Sequence, residues 1–380
     1  MRIEEHIDGY FKDNHWQEKT CSQCNKVYWT KKDEDVCGHS KCKLPGKIHD
    51  GIKSKPKNIT PLEITKRHKE FFMTWGYQEE APVPLHSSET TLYVGAALQA
   101  LDRELYSHRD IQETRRVIVQ PCIRVHAREK AHTKAGCSTT FTICGTEHIN
   151  ATEREFIEGL DKWMEFLSNI GFPLTRMNFY RGNTWKGGEM RGTNVTAYMG
   201  NIQIGDCVYI DTIPFNKKIQ SIADIEFGLE RMLWVLLRTE KYGDGFHPTW
   251  CAREFSYEAM DAIRTLTLLV GDGIKGGNKG QEAIVRELAK EYVEEKGSLH
   301  IGELIAEYYG YWNSLMRLSS EDETQQGVKS EIYRAYNHQM YKKLGISPGR
   351  DDLRIHPADC VRMLKSKGLT TNQIIDVIRR

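Results

Sequence analysis

Four cysteines near the N-terminus constrain this chain more tightly than any other feature. Cys21-Ser-Gln-Cys24 and Cys37-Gly-His-Ser-Lys-Cys42 are two thiol pairs with twelve residues between them. That spacing lets two knuckles fold toward each other and close one tetrahedral site, so Cys21, Cys24, Cys37 and Cys42 are expected to hold a structural zinc ion. His39 lies inside the second knuckle and could replace one thiol, but four thiolates already complete the tetrahedron. The first 56 residues carry little apolar content, so the metal would supply much of this module's folding free energy. A bland alternative, four unligated thiols in a loop-rich segment, leaves the spacing unexplained.

The chain has ten cysteines, and the other six are scattered, which suits a reducing compartment. No run approaches 18 apolar residues, and the first residues lack the apolar stretch of a signal peptide. A cytoplasmic protein without a membrane partner is expected. Hydrophobic content of 39% and charged content of 28% describe a globular chain with a real core. The formal net charge of +1 excludes a global polybasic signature, so any nucleic-acid contact must come from local patches.

After a linker at Lys53-Ser-Lys-Pro-Lys-Asn, the hydrophobic pattern changes. Thr60-Pro-Leu-Glu predicts a helix start. A strand is expected over 87–94, a helix over 96–106, and a hairpin with strands 116–125 and 139–144. Its loop is basic, with His126, Arg128, Lys130, His132 and Lys134, and Arg124 stands just before it. Phe156, Leu160, Trp163 and Leu167 mark one face of a helix over 152–170, a stripe that is core rather than a cofactor box. Arg181 to Gly188 reads as a glycine-rich turn without dinucleotide-binding or P-loop spacing. Strands over 193–199 and 202–212 follow, and helices are expected over 254–270, 280–296, 300–318, 328–343 and 370–380. This order predicts an α+β fold, a mostly antiparallel sheet backed by helices. Three domains are expected: a zinc module at 1–56, a catalytic unit at 57–245 and a helical domain at 246–380.

Between the sheet and the helices lies Ile222-Ala-Asp-Ile-Glu-Phe-Gly-Leu-Glu-Arg-Met-Leu-Trp234. Two carboxylates, Asp224 and Glu226, precede Gly228, and Arg231 falls in the first turn of an apolar-periodic helix. An arginine beside the free N–H groups of a helix start is a good phosphate anchor. Alone, the same residues also fit an ordinary helix start with a solvated Glu/Arg pair.

Taken in order, these pieces resemble a truncated alanyl-tRNA synthetase of the archaeal type, within the class II aminoacyl-tRNA synthetases. The resemblance runs from the cysteine module to at least residue 350. Val119-Gln-Pro-Cys-Ile-Arg124 looks like the family's motif 2, Trp185-Lys-Gly-Gly188 a later turn, and Gly228-Leu-Glu-Arg231 its motif 3. Asp261-Ala-Ile-Arg, Asn278-Lys-Gly280 and Tyr341-Lys-Lys-Leu-Gly-Ile-Ser-Pro348 resemble landmarks of its helical tRNA-recognition domain. Each motif is modest alone; six in order are specific.

The resemblance implies ATP-dependent formation of an aminoacyl-adenylate, with Mg²⁺ bridging the phosphates and transfer to a tRNA acceptor end. It assigns Arg124 to the α-phosphate and the substrate carboxylate, and Arg231 to the γ-phosphate. Both arginines would be catalytic. Phe141 matches the position that stacks adenine, with Arg128 and Gly228 completing the ATP site. Asp206 and Asp211 are candidate Mg²⁺ ligands. Asp224 matches the partner of the substrate ammonium. Glu226 replaces a glycine that lies against the alanine methyl in the family. A substrate bearing a donor or cation is expected there, unless Glu226 turns to solvent or to Arg231.

Other departures fall at Gly136, Cys137 and Thr142 in motif 2, and at Thr196, where the family has a carboxylate. Asn278 matches a tRNA-reading asparagine, whereas Lys342 stands in place of an aspartate, favouring phosphate contact over the same base readout. Set against the resemblance, 380 residues are expected to leave no room for the family's editing and oligomerisation domains, with editing in trans still open. Together with Glu226 this fits a polar-contact pocket that needs no editing. Two other readings stay open: delivery of the aminoacyl group to a carrier thiol, peptide or small molecule, and a non-catalytic RNA-binding paralogue.

Overall fold

The computed structural model describes residues 2–39, 42, 48–106, 114–125, 136–295, 301–349 and 352–374. The basic loop, including Arg128, lies outside them. The described residues fall into two compact units. The first holds those up to 123, 136–137 and 141–246; the second holds 124–125, 138–140 and those from 247 onward.

The first unit is built on one nine-stranded sheet. Its strands are β1 (Gln17–Thr20), β2 (Val27–Thr30), β3 (Gln78–Glu80), β4 (Thr114–Ile123), β5 (Thr140–Ile149), β6 (Met177–Gly187), β7 (Met190–Met199), β8 (Ile202–Thr212) and β9 (Ile222–Gly228). The spatial order is β1-β2-β6-β7-β8-β9-β5-β4-β3. Pairs β1–β2, β2–β6, β6–β7, β7–β8, β8–β9 and β5–β9 are antiparallel, and β3 runs parallel to β4. The expected α+β class, a mostly antiparallel sheet with flanking helices, is the observed one. The cysteine-bearing segment contributes β1 and β2, joined to the rest through β2 and β6.

Helices α1 (Ile3–Asp13), α2 (Pro61–Met73), α3 (Asp102–Tyr106), α4 (Glu153–Asn169) and α5 (Leu229–Leu237) complete this unit. Thr60 caps α2 by accepting from the Glu63 N–H at 3.2 Å, with proline in the first turn where its missing N–H costs nothing. A reciprocal Thr152/Glu155 capping box opens α4. Its buried stripe of Phe156, Leu160, Trp163 and Leu167 lies against the sheet. There Trp163 stacks on Phe227 of β9 at 4.7 Å and donates from Nε1 to Thr146 Oγ1 of β5 at 2.6 Å. One face of β5 and β9 is thereby sealed under α4, and the opposite face carries polar groups.

Three local expectations need correction. No strand forms over 87–94: a 3-10 turn at Leu85–Ser87 is followed by bends. Ser88 Oγ accepts from the Thr90 and Thr91 N–H groups, and Asp102 accepts from the Glu89 N–H. Side chains thus capture the donors that a ladder would need. The expected turn at 181–188 is instead the end of β6, with a register shift between Gly182 and Trp185 and the reversal at Gly188, where φ is +61°. Helix α1 was not expected.

The second unit is helical: α6 (Tyr257–Gly271), α7 (Gly280–Glu294), α8 (Gly302–Asn313), α9 (Glu321–Leu344) and α10 (Pro357–Ser366). Ser256 and Ser320 cap α6 and α9, and Gly345, at φ +68°, ends α9. Arg264 is fully buried in α6; it donates to Thr140 O at 2.7 Å and lies 4.3 Å from the Trp312 ring. Helix α10 was not expected from the sequence. No described helix is long and apolar enough to cross a membrane.

Candidate active site

The alternation of β9 places Ala223, Ile225 and Phe227 toward α4 and Asp224 and Glu226 on the opposite face. Register adds two further carboxylates to that face. Glu147 of β5 is directly opposite Asp224, and Asp206 of β8 is directly opposite Glu226. Asp224 and Glu147 are buried, at 4% and 1% exposure. Asp224 Oδ1 and Glu147 Oε1 have no hydrogen-bond partner in the protein. Burial, then the Glu226, Glu147 and Asp206 charges, hold the Asp224 carboxyl well above its usual range. Burial, then Glu226, does the same for Glu147, against a smaller opposing pull from Arg116.

Glu226 is half-buried and its Oε1 accepts from the Leu98 N–H at 3.0 Å. Leu98 belongs to the 3-10 turn Ala97–Leu101, so the carboxylate fastens that turn over the sheet. Asp206 Oδ1 accepts from Asn194 Nδ2 at 3.1 Å and Thr196 Oγ1 at 3.0 Å. Thr196, a departure from the family pattern, therefore orients a carboxylate one strand away.

Past Gly228 the strand becomes α5. Arg231 is half-buried there; its Nε donates to Gly136 O at 2.8 Å and its Nη1 to Gln203 O at 2.7 Å. Two backbone carbonyls thus fix the guanidinium. The Arg231 guanidinium is directed at these carbonyls, while Glu226 accepts from the Leu98 N–H. Glu230, buried at 1%, accepts from the Thr142 N–H at 2.8 Å and from Thr142 Oγ1 at 3.2 Å. This clamp between β5 and α5 explains a threonine at 142. Phe141 is half-buried against the cluster of Val94, Ala97, Ile118, Cys122 and Ile143. Asp211 is exposed and five residues beyond Asp206 on β8, on the order of 16 Å along the strand. The two candidate Mg²⁺ ligands are not brought together. Arg124, one residue past β4, is exposed in the second unit, and its N–H donates to Thr139 O at 3.1 Å.

Glu147 and Glu230 were missed as site residues. The signal for Glu147 was a carboxylate amid an apolar strand run, but only strand register sets it against Asp224. A cavity of about 1230 Å³ in the first unit, lined by Tyr10, Trp16, Lys31, Asp161 and Arg176 among others, includes none of these carboxylates.

The four cysteines converge as expected. Their Sγ atoms lie within 4.8 Å of one another, with Cys21–Cys42 at 3.8 Å, Cys24–Cys37 at 3.7 Å and Cys37–Cys42 at 3.7 Å. A tetrahedron with Zn–S bonds of about 2.3 Å has edges of about 3.8 Å, so the donor set fits zinc. Burial opposes the Cys21 thiolate, but N–H donors of Cys37, Gln23 and Cys24 outweigh it and draw the group down to about 6.

In the second unit, Asn278 is exposed and its Oδ1 accepts from Arg286 Nη1. It lines a cavity of about 530 Å³ with Arg286, Arg334, Pro348, Gly349, Leu353 and Arg354. Lys342 is exposed in the last turn of α9 and is not among those lining residues.

The sheet, with its central strand running through Gly228 into α5, is a class II synthetase-like core, accompanied by a four-cysteine cluster fit for zinc and a set of C-terminal helices. No family model matches the chain. Over part of its length the chain is related to archaeal alanine–tRNA ligases. It is 22% identical over 275 residues to the alanine–tRNA ligase of Methanoculleus marisnigri, covering 67% of this chain and 30% of that protein. It is 26% identical over 256 residues to that of Sulfurisphaera tokodaii, covering 63% of this chain and 27% of that protein. The chain thus spans under a third of the length of these relatives. A pyrrolysyl-tRNA synthetase structure from Desulfitobacterium hafniense aligns at a TM-score of 0.36 and 16% identity, over 51% of this chain and 74% of that one.

Proposed function

We propose that this protein activates an amino acid as its aminoacyl-adenylate and transfers the acyl group to tRNA. The observation that carries this is Asp224: a buried carboxylate with an unpartnered oxygen, on the strand that leads through Gly228 to Arg231. An α-ammonium placed there satisfies the orphaned oxygen and lowers the electrostatic cost of the site. The substrate carboxylate oxygen then attacks the α-phosphorus of ATP, and pyrophosphate leaves. Arg124 neutralises the α-phosphate as charge builds, and Arg231 exchanges a backbone carbonyl for the γ-phosphate. Phe141 offers its ring to adenine, with Arg128 and Gly228 beside the nucleotide. Mg²⁺, when bound, supplies charge neutralisation across the phosphates. In the second step a ribose hydroxyl of the tRNA end attacks the acyl carbonyl and AMP leaves. Asn278 and Lys342 contact the acceptor stem. Cys21, Cys24, Cys37 and Cys42 hold structural zinc.

ATP–pyrophosphate exchange across all amino acids, with and without total tRNA, tests the proposal. Exchange with one amino acid and esterification of tRNA is the expected result. Exchange without tRNA charging redirects the acyl group to another acceptor; absence of exchange with every amino acid refutes activation.

A further inference from the structure

Two carboxylates of the first unit, Glu147 and Asp224, are buried and opposed, and each has an orphaned oxygen. They face each other on β5 and β9, which places their Cβ atoms about 4.5–5.5 Å apart. Their exposures are 1% and 4%, and Glu147 Oε1 and Asp224 Oδ1 have no hydrogen-bond partner in the protein. The charged groups around them are engaged elsewhere. Arg116, the cation acting on Glu147, bonds Glu104 at 3.4 Å and lies 4.0 Å from Glu80. Glu226 accepts from the Leu98 N–H, and Asp206 accepts from Asn194 and Thr196. Among the described residues, only the four cysteines bring three or more metal-ligating side chains within 4.8 Å of one another, so the pair is not the corner of a metal cage. Two carboxylates this close in a buried site do not both ionise without a counter-charge, and the empty pair keeps one proton.

Resting on the activation reading above, we propose that Glu147 is a second binding residue for the substrate's amino group, which lies between Glu147 and Asp224 and displaces a proton from them. The α-ammonium brings three N–H donors, and the orphaned Glu147 Oε1 and Asp224 Oδ1 are acceptors for two of them. The exchange balances in charge and atoms. One cation enters, one carboxyl O–H breaks, its proton leaves to solvent, and both carboxylates end ionised against the ammonium. Binding is therefore linked to pH. Raising the pH removes the proton that competes with the ammonium, so affinity rises by about tenfold per pH unit until the empty pair is itself fully ionised. The charged groups that face the pair are Glu226 on β9, Asp206 on β8, Arg116 on β4, Glu80 on β3 and Glu104 on α3. Each keeps its protein partner when the ammonium binds, so the proton released is the one held by Glu147 and Asp224.

The test uses the full chain without ATP. Each of the twenty L-amino acids is screened by thermal shift, and those that bind are titrated by calorimetry between about pH 5.5 and 7.5 in buffers of differing ionisation heat. The expected result is release of about one proton per amino acid bound, with affinity rising by about tenfold per pH unit. Glu147→Gln should abolish both, because glutamine has no proton to release and its amide donates to Asp224, holding it ionised. A residue that merely supports the fold would not change the proton count. Should the variant not fold, the wild-type proton count alone decides. Binding without proton release, or with release unchanged in the variant, overturns the role of Glu147 and leaves activation to the ATP–pyrophosphate exchange assay. Proton-linked binding without any exchange does the reverse. Failure of every amino acid to bind overturns the inference.

Discussion

The first unit gathers like groups in two places, four thiols and four carboxylates, and the two arrangements differ in shape. The thiols converge, with sulfur–sulfur distances of 3.7–3.8 Å that match the edges of a zinc tetrahedron. The carboxylates are spread over one sheet face in two cross-strand pairs, and two of their oxygens have no partner in the protein. A point of convergence suits a metal ion; a spread row does not.

The comparison can be broken from either side. The largest effect is expected at the thiols: Cys37→Ser should abolish stoichiometric zinc by elemental analysis and cost several kcal/mol in thermal or denaturant unfolding. Full zinc retention would remove the convergent half of the comparison. Next comes the support beneath the carboxylates. Trp163 is fully buried against Phe227, so Trp163→Ala should cost about 3–5 kcal/mol by urea denaturation. Glu230→Gln should cost about 1–3 kcal/mol, because it weakens the acceptor for two donors of Thr142.

The smallest effect has the opposite sign. With its carboxyl held well above the usual range, native Glu147 binds a proton that the unfolded chain releases above about pH 4. Its contribution therefore weakens the fold as pH rises from about 4 toward neutrality. Glu147→Gln should stabilise the substrate-free protein at pH 7 by about 1 kcal/mol or more, with the gain vanishing near pH 4. A melting temperature that falls in this variant at pH 7 would show that the carboxylate face is not a reservoir of repulsion.

The zinc-type cluster and the α4 stripe were legible because each depends on local spacing. The thiol pairs are close in sequence, and the α4 stripe repeats with the helical period over 17 residues. The segment over 87–94 misled because β-branched and aromatic residues read as strand, whereas the Ser88 hydroxyl, accepting from the Thr90 and Thr91 N–H groups, and the Thr91 hydroxyl, donating to Tyr93 O, tie the backbone into bends. Asp224 and Glu226 were legible as two carboxylates on one face of a strand. Their opposing residues were not, because Glu147 lies 77 positions before Asp224 and Asp206 lies 20 before Glu226.

The sequence by itself determined the convergence of the four cysteines, the strand-to-helix passage through Gly228 and the oddity of Glu226. Only the tertiary structure decided what faces those carboxylates. Strand pairing converts remote sequence positions into neighbours, and a shift of one residue would have turned the facing side chains to the other side of the sheet. Charge on that face is thus a property of register, and no local pattern in the chain encodes it.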